Sequence, residues 1–255
     1  MTTYRDYDNA PSQVVETYRL NHINQTVDYV RTMIDTHCTR FNKCKMHISK
    51  VIELQDTIID ESDPDTLNAQ ILHAYQTAEY VRKIYPDLDY LHLVGLLHDC
   101  GKVLLLDKFG GLPQWSVVGD IFPVGCQYSN KIVYHDFFPE DQSLYGIYQP
   151  NCGIDNLLMS FSHDNYLYSV LKHNKCQIPE DGLKIIRYHS WYSWHTGNDY
   201  EYFMTEDDYR IRELCHNFSK CDLYSKTDSP IDIDRLKPYY DELINKYFPD
   251  PVLEW

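Results

Sequence analysis

The sequence predicts a mainly α fold, a compact helical bundle interrupted by two long loops. Three observations carry this. Apolar residues recur at helical spacing over eight segments. Gly and Pro collect in a stretch between them rather than inside them. A hydrophobic content of 43% over 255 residues is enough for a substantial core. There is no internal repeat, low-complexity tract or linker, so one domain over residues 1–255 is expected.

The helical segments are residues 13–37, 48–55, 67–85, 90–106, 154–173, 180–189, 207–224 and 238–248. Asp87 and Asp155 suit helix N-termini, and Pro179 and Pro238 suit first-turn positions. Residues 107–153 carry Gly110, Gly111, Gly119, Gly125 and Gly146 with Pro113, Pro123, Pro139 and Pro150, and do not read as helix. Neither do residues 190–206. Loops of this length in a compact domain usually cover or carry a site. A short hairpin is expected within residues 115–134.

Charge and cysteine usage narrow the function. The formal charge of −15 argues against nucleic acid and against an anionic membrane, both of which need clustered Lys and Arg. The 23 Tyr point to many buried rings whose hydroxyls find partners. The eight cysteines form no C-x-x-C pair, and a chain this long needs no disulfide staples. They read as reduced thiols of a cytoplasmic protein. The N-terminal residues have no apolar signal region, and the longest aliphatic runs, such as Val103-Leu104-Leu105-Leu106, are far shorter than a membrane span.

Chemistry is concentrated at His98-Asp99, which ends the apolar run Leu93-Val94-Gly95-Leu96-Leu97. An imidazole and a carboxylate there are costly to bury unpaired, and a metal ion removes that cost. Further candidates sit in similar settings. His73 lies on a row with Thr77, Tyr80 and Ile84 that bears no charge. His163 ends an apolar segment, and His189 follows Ile185 at i+4. Asp222 continues the stripe Ile211, Leu214, Cys215, Phe218 at i+4, so its carboxylate falls on the core face. One such histidine is more often a hydrogen-bonded core residue, and a core-facing Asp can cap a neighbouring helix. Four histidines and two aspartates on five segments are a stronger signal. Mixed N and O donors without thiolate suit iron or manganese better than structural zinc. His195 is either a loop residue or a support for a ligand.

The ordered pattern H…HD…H…H…D resembles the HD-domain superfamily of helical metal proteins. Longer motifs are more specific: residues 71–82 (ILHAYQTAEYVR), 92–104 (HLVGLLHDCGKVL), 113–126 (PQWSVVGDIFPVGC), 162–168 (SHDNYLY), 186–197 (IRYHSWYSWHTG) and 220–226 (KCDLYSK). Together they resemble the myo-inositol oxygenase family, over nearly the whole chain from Tyr4-Arg5-Asp6-Tyr7 to Pro238-Tyr239-Tyr240. Residues 106–111 look longer than the family pattern and 130–145 shorter.

That resemblance implies two iron ions in a mixed-valent Fe(II)/Fe(III) state. His73, His98, Asp99 and Asp222 would hold one; Asp99, His163 and His189 would hold the other, with Asp99 bridging. It implies a cyclitol substrate chelating the second ion at the His189 side, with contacts from Arg5, Asp60, Glu61, Ser62, Lys102, Gly119, Asp120, Ser190 and Lys226. The implied reaction is oxygenation: O2 cleaves the ring of myo-inositol to give D-glucuronate and water, with Asp99 and Lys102 in catalytic roles. A monomer without nucleic-acid or membrane partners is expected.

Physical readings of these residues run alongside. Lys102, four residues after His98, lies one turn further along a continuing helix and could stabilise an alkoxide on a metal-bound hydroxyl, or else complement a helix dipole. Asp60, Glu61, Asp63 and Asp65 form either a solvated turn or acceptors for polyol hydroxyls. Gly119-Asp120 is either an ordinary turn or a close backbone approach to a ligand. Two alternatives remain within the same superfamily, a metal-dependent phosphohydrolase and a related diiron oxygenase acting on another substrate such as an aminophosphonate. A third alternative, a non-catalytic binding protein, is disfavoured by the complete ligand set.

Overall fold

The computed structural model describes residues 5–65, 69–139, 142–225 and 231–255. The fold is mainly α. Its helices are α1 (Ser12–Asn24), α2 (Val27–His37), α3 (Ile48–Leu54), α4 (Gln70–Ile84), α5 (Asp89–Leu97), α6 (Gln114–Val117), α7 (His163–His173), α8 (Glu180–Tyr188), α9 (Tyr192–His195), α10 (Glu206–Ser225) and α11 (Ile233–Tyr247). Two three-residue strands, β1 (Lys45–His47) and β2 (Val252–Glu254), pair antiparallel with Met46 opposite Leu253. Among the described residues no helix is long and apolar enough to cross a membrane.

Helices α4, α5, α7, α8 and α10 pack around one another, and the spacing is set by small residues. Gly95 of α5 lies against α4 so closely that a Cβ there would sit 2.9 Å from Ala78 Cα. Just beyond α5 the chain tightens into a 3₁₀ segment, Cys100–Leu105. A Cβ on Gly101 would lie 2.2 Å from the carbonyl oxygen of His163. The absence of a side chain at Gly101 therefore lets the turn after Asp99 rest on the N-terminus of α7. The core is continuous from Val30 on α2 to Trp255, which is fully buried and packs edge-on to Phe109.

Several expectations from sequence are corrected. Residues 13–37 form two helices, because Thr26 caps α2 through its hydroxyl to the Tyr29 amide, and Gln25 turns inward. The Gln25 amide donates to Phe161 O (2.7 Å) and accepts from Phe161 N (2.9 Å), replacing a strand partner for the chain entering α7. Residues 90–106 split at His98-Asp99. Both helical and 3₁₀ periods keep Val103 and Leu104 inside, so the pattern alone does not reveal the change.

Residues 154–162 are mostly extended rather than helical, apart from a 3₁₀ turn, Ile154–Asn156. They pair with part of the long loop: Val124 N donates to Leu158 O and Ser160 N to Phe122 O. No hairpin forms within 115–134, since residues 121–124 find their partner here instead. Ser162, not Asp155, caps α7. Asp155 instead binds Tyr188 Oη, Lys184 and Arg187. Asp87 caps nothing: Leu88 precedes α5, and Asp89 supplies the acidic first turn. Pro179 does precede α8, but Pro238 lies inside α11, which begins at Ile233 with Asp232 accepting from the Arg235 amide. The long loops hold α6, α9 and the 3₁₀ turns His135–Phe137 and Glu201–Phe203.

The Gly101 contact gives a test of this packing. Gly101→Ala should lower unfolding free energy by about 1–3 kcal/mol, the usual cost of overpacking a core, because the opposing atom is backbone. Urea denaturation would measure it. A change within about 0.5 kcal/mol, typical of surface substitutions, would show that the turn and α7 separate easily.

Candidate metal centre

Five elements converge on one buried cluster. His73 comes from the first turn of α4, and His98 and Asp99 directly follow α5. His163 is the first residue of α7, His189 follows the last residue of α8, and Asp222 lies near the end of α10. Each is less than a tenth exposed. His189 and Asp222 reach the cluster because each extends the buried stripe of its helix by one turn, after Ile185 and Phe218.

The two oxygens of Asp99 face different sets of donors. Oδ2 is 3.4 Å from His98 Nε2 and 3.8 Å from His73 Nε2. Asp222 Oδ1 closes that set, 2.8 Å from His73 Nε2 and 3.6 Å from His98 Nε2. Oδ1 of Asp99 is 3.2 Å from His163 Nε2 and 3.7 Å from His189 Nε2, and those two nitrogens are 3.3 Å apart. Ligand atoms about 2.1 Å from one octahedral ion lie about 3 Å from their neighbours, so both sets have the spacing of a shared cation.

The back of each ring fixes which nitrogen faces inward. His98 Nδ1 donates to Gly95 O (2.8 Å), His163 Nδ1 to Val117 O (2.7 Å) and His189 Nδ1 to Ile186 O (2.9 Å). Each Nε2 is thereby left as a lone-pair donor. His98 Nε2 is buried without a hydrogen-bond partner, and Asp222 Oδ1 meets only ring nitrogens, His73 Nε2 at 2.8 Å and His98 Nε2 at 3.6 Å. An orphaned ring nitrogen among buried N and O ligands fits a bound metal, which would satisfy it. His163, Asp164 and His189 also lie close enough to form a set. Asp164, however, meets both rings through Nδ1, on the far side from Asp99.

Electrostatics keep the carboxylates ionised. Burial opposes charge on Asp99, but His98 and Lys102 outweigh it and hold its pKa well below the usual range. Burial likewise opposes charge on Asp222, and His73 outweighs it. The Lys102 ammonium donates to Asp99 Oδ2 (2.9 Å) and Gln70 Oε1 (2.8 Å) and pairs with Asp60 Oδ2 (2.8 Å). Burial disfavours that cation, yet Asp60 and Asp99 raise its pKa above the normal value. The 3₁₀ turn makes the pairing possible: it places Lys102 three residues, and one full turn, after Asp99.

Around the cluster lies a pocket that opens to the surface. Arg5, Asp60, Ser62, Lys102, Gly119, Asp120, His189 and Ser190 all line it. Glu61 does not; its amide donates to Gln114 Oε1. Lys226 lies outside the described residues. Asp60 Oδ1 accepts from Ser62 N and Oγ, which fixes the turn over Lys102. Gly119, with φ of +94°, brings bare backbone to the pocket wall. His195 lies behind the site, its Nε2 2.8 Å from His189 O, and burial lowers its pKa to about 3.

Four contributors were missed from sequence. Arg5 forms two bonds to Asp120 (2.7 and 2.9 Å) and stacks 3.6 Å above the Tyr192 ring. Tyr18 donates to Asp120 Oδ1 and lies 3.0 Å, oxygen to oxygen, from Tyr7. Tyr7, Tyr18 and Tyr192 therefore shape the pocket mouth, and Gln70 anchors Lys102. Tyr7 and Tyr192 stand inside the segments Tyr4-Arg5-Asp6-Tyr7 and 186–197, Gln70 directly precedes 71–82, and Tyr18 had no signal beyond the high tyrosine content.

Comparison with known proteins gives one consistent result. The sequence model of the family described as Myo-inositol oxygenase matches residues 11–255. Inositol oxygenase 1 of Arabidopsis thaliana is 48% identical, over 99% of this chain and 84% of its own length. Inositol oxygenase of Dictyostelium discoideum is 44% identical over 99% of this chain and 89% of its own. Inositol oxygenase of Danio rerio is 43% identical over 100% and 94%.

Metal analysis tests the divided cluster. The wild-type chain should carry two ions. His73→Ala should retain one, and Asp99→Ala neither, because the two oxygens of Asp99 face both donor sets. Equal losses in the two variants would contradict a shared carboxylate.

Proposed function

The chain belongs to the myo-inositol oxygenase family, and from that premise we propose that it cleaves the ring of myo-inositol with O2 to give D-glucuronate and water. The observation that carries this reading is Asp99, whose two oxygens face two separate donor sets beside a polar pocket. We assign His73, His98, Asp99 and Asp222 to one iron ion and Asp99, His163 and His189 to the other, in a mixed-valent Fe(II)/Fe(III) pair. When bound, the ions supply Lewis acidity toward substrate oxygens and the redox chemistry toward O2.

The chain's own residues do the rest. The backed histidines and ionised carboxylates preorganise the donors before any ion or substrate arrives. Lys102 holds a fixed positive charge at Asp99, where it stabilises a substrate hydroxyl as its proton is lost. Asp60, Asp120 and Ser190 offer acceptors and a donor for further hydroxyls, and these orient the ring. Arg5, lying across Asp120 and Tyr192, limits water at the pocket mouth.

Pocket charge favours a neutral polyol over a phosphate ester. Among the described residues the lining has six carboxylates, of Asp60, Asp63, Asp65, Asp99, Asp120 and Asp222, against the cations Arg5 and Lys102. Two metal cations offset that excess, but a polyanionic substrate would still face Asp60 and Asp120. A single HD-type domain is supported by the continuous core, and a cytoplasmic setting by the eight free cysteines. The exposed large apolar side chains come from many different elements, which supports a monomer.

Iron-loaded protein supplied with myo-inositol should form glucuronate on admission of O2 and none under argon, assayed by chromatography. Absence of glucuronate in air would overturn the substrate assignment, and turnover of phosphate esters would support a hydrolase. Lys102→Met should lower kcat by about 10²–10³, the loss seen when one charge-stabilising donor is removed. A rise in KM with unchanged kcat would make Lys102 a binding residue only.

A further inference from the structure

We infer that Asp164 is a positioning residue that makes the two ends of the metal cluster unequal, by setting one negative charge behind both imidazoles of the His163/His189 end. The inference rests on the two-ion reading above. Asp164 is fully buried. Its Oδ1 lies 3.1 Å from His189 Nδ1 and its Oδ2 3.5 Å from His163 Nδ1. Ser162 Oγ donates to Oδ2 at 2.7 Å and Ser190 N to Oδ1 at 3.3 Å, so the carboxylate is fixed on both sides.

Among the described residues nothing equivalent backs the other end. His98 Nδ1 has only the neutral Gly95 carbonyl, and His73 Nδ1 is buried without a partner. The imbalance runs opposite to the direct ligands. The His73/His98 end has a carboxylate of its own, Asp222, besides its share of Asp99. The His163/His189 end has only its share of Asp99. Asp164 supplies the missing charge from behind the rings, where it occupies no coordination position. A carboxylate behind an imidazole raises the basicity of the opposite nitrogen. At both rings the Nδ1 proton goes to a backbone carbonyl, Ile186 O for His189 and Val117 O for His163, and Asp164 acts through its charge. This end can therefore bind its ion firmly while leaving positions for substrate oxygens.

The test is a Co(II) titration of metal-free protein followed by visible absorption, with circular dichroism to confirm folding. His73→Ala leaves the ion of the His163/His189 end, and His189→Ala leaves the other. Adding Asp164→Asn should weaken the remaining ion about 10–100-fold in the first background, the usual cost of losing such a support, and leave it unchanged in the second. Equal weakening in both backgrounds, or none in either, overturns the inference. Should Asp164→Asn fail to fold, Asp164→Ser removes the charge with a smaller side chain and should weaken the same ion while sparing the other; any other pattern again overturns it. Wild-type protein that binds fewer than two ions overturns the two-ion reading and this inference with it. That outcome is distinguishable, because it is seen before any substitution is made.

Discussion

Asp99 has one oxygen facing two histidines and Asp222, and the other facing two further histidines. Such an arrangement tolerates little slack. A carboxylate can serve two sets only if the helices carrying them stand at fixed separations, and the fold is organised to that end. Gly95 draws α5 onto α4, and Gly101 draws the following turn onto α7. Ser162 and the Gln25 amide fix where α7 begins, and so where His163 sits. Gly95, Gly101 and Ser162 each lie within three residues of a donor in sequence, and Gln25 reaches Phe161 from 136 residues away.

The donors also explain why so polar a cluster can sit in so apolar a core. Four imidazoles and two carboxylates would be costly to bury as isolated groups. Here every charge has a counter-charge or a dipole in contact: Lys102 against Asp99 and Asp60, and Asp164 behind two rings. His98 Nε2, where an ion would bind, is orphaned, and further orphaned atoms on His37, Gln55, Tyr166, Trp191 and Ser193, with His73 Nδ1, lie elsewhere. The pocket mouth follows the same logic. Arg5 is neutralised by Asp120, and that pair is in turn enclosed by tyrosine rings.

The sequence was most legible where a polar residue extended an apolar helical stripe. His189 after Ile185 and Asp222 after Phe218 show that pattern, and the structure places both in the cluster. It was less legible where the decisive partner is distant. Gln25 and Phe161 are 136 residues apart, and neither has a local feature that marks the pairing. The supposed hairpin failed for the same reason, since residues 121–124 pair with the chain before α7 instead. Asp164 stood in plain sight beside His163. Its neighbours on the helix are polar, however, and its importance appears only when α8 is folded against α7.

The tightened turn after Asp99 has an effect on the next residue as well. Cys100 carries a thiol one position from the shared ligand, in a protein whose proposed chemistry uses O2. Within that turn its sulfur lies by the Leu96 carbonyl on α5, and it does not line the pocket. Burial, reinforced by the charge of Asp99, raises its pKa far above the ordinary range, so the reactive thiolate is suppressed. The geometry that presents an oxygen donor to the cluster thus also keeps a soft, oxidisable sulfur out of it.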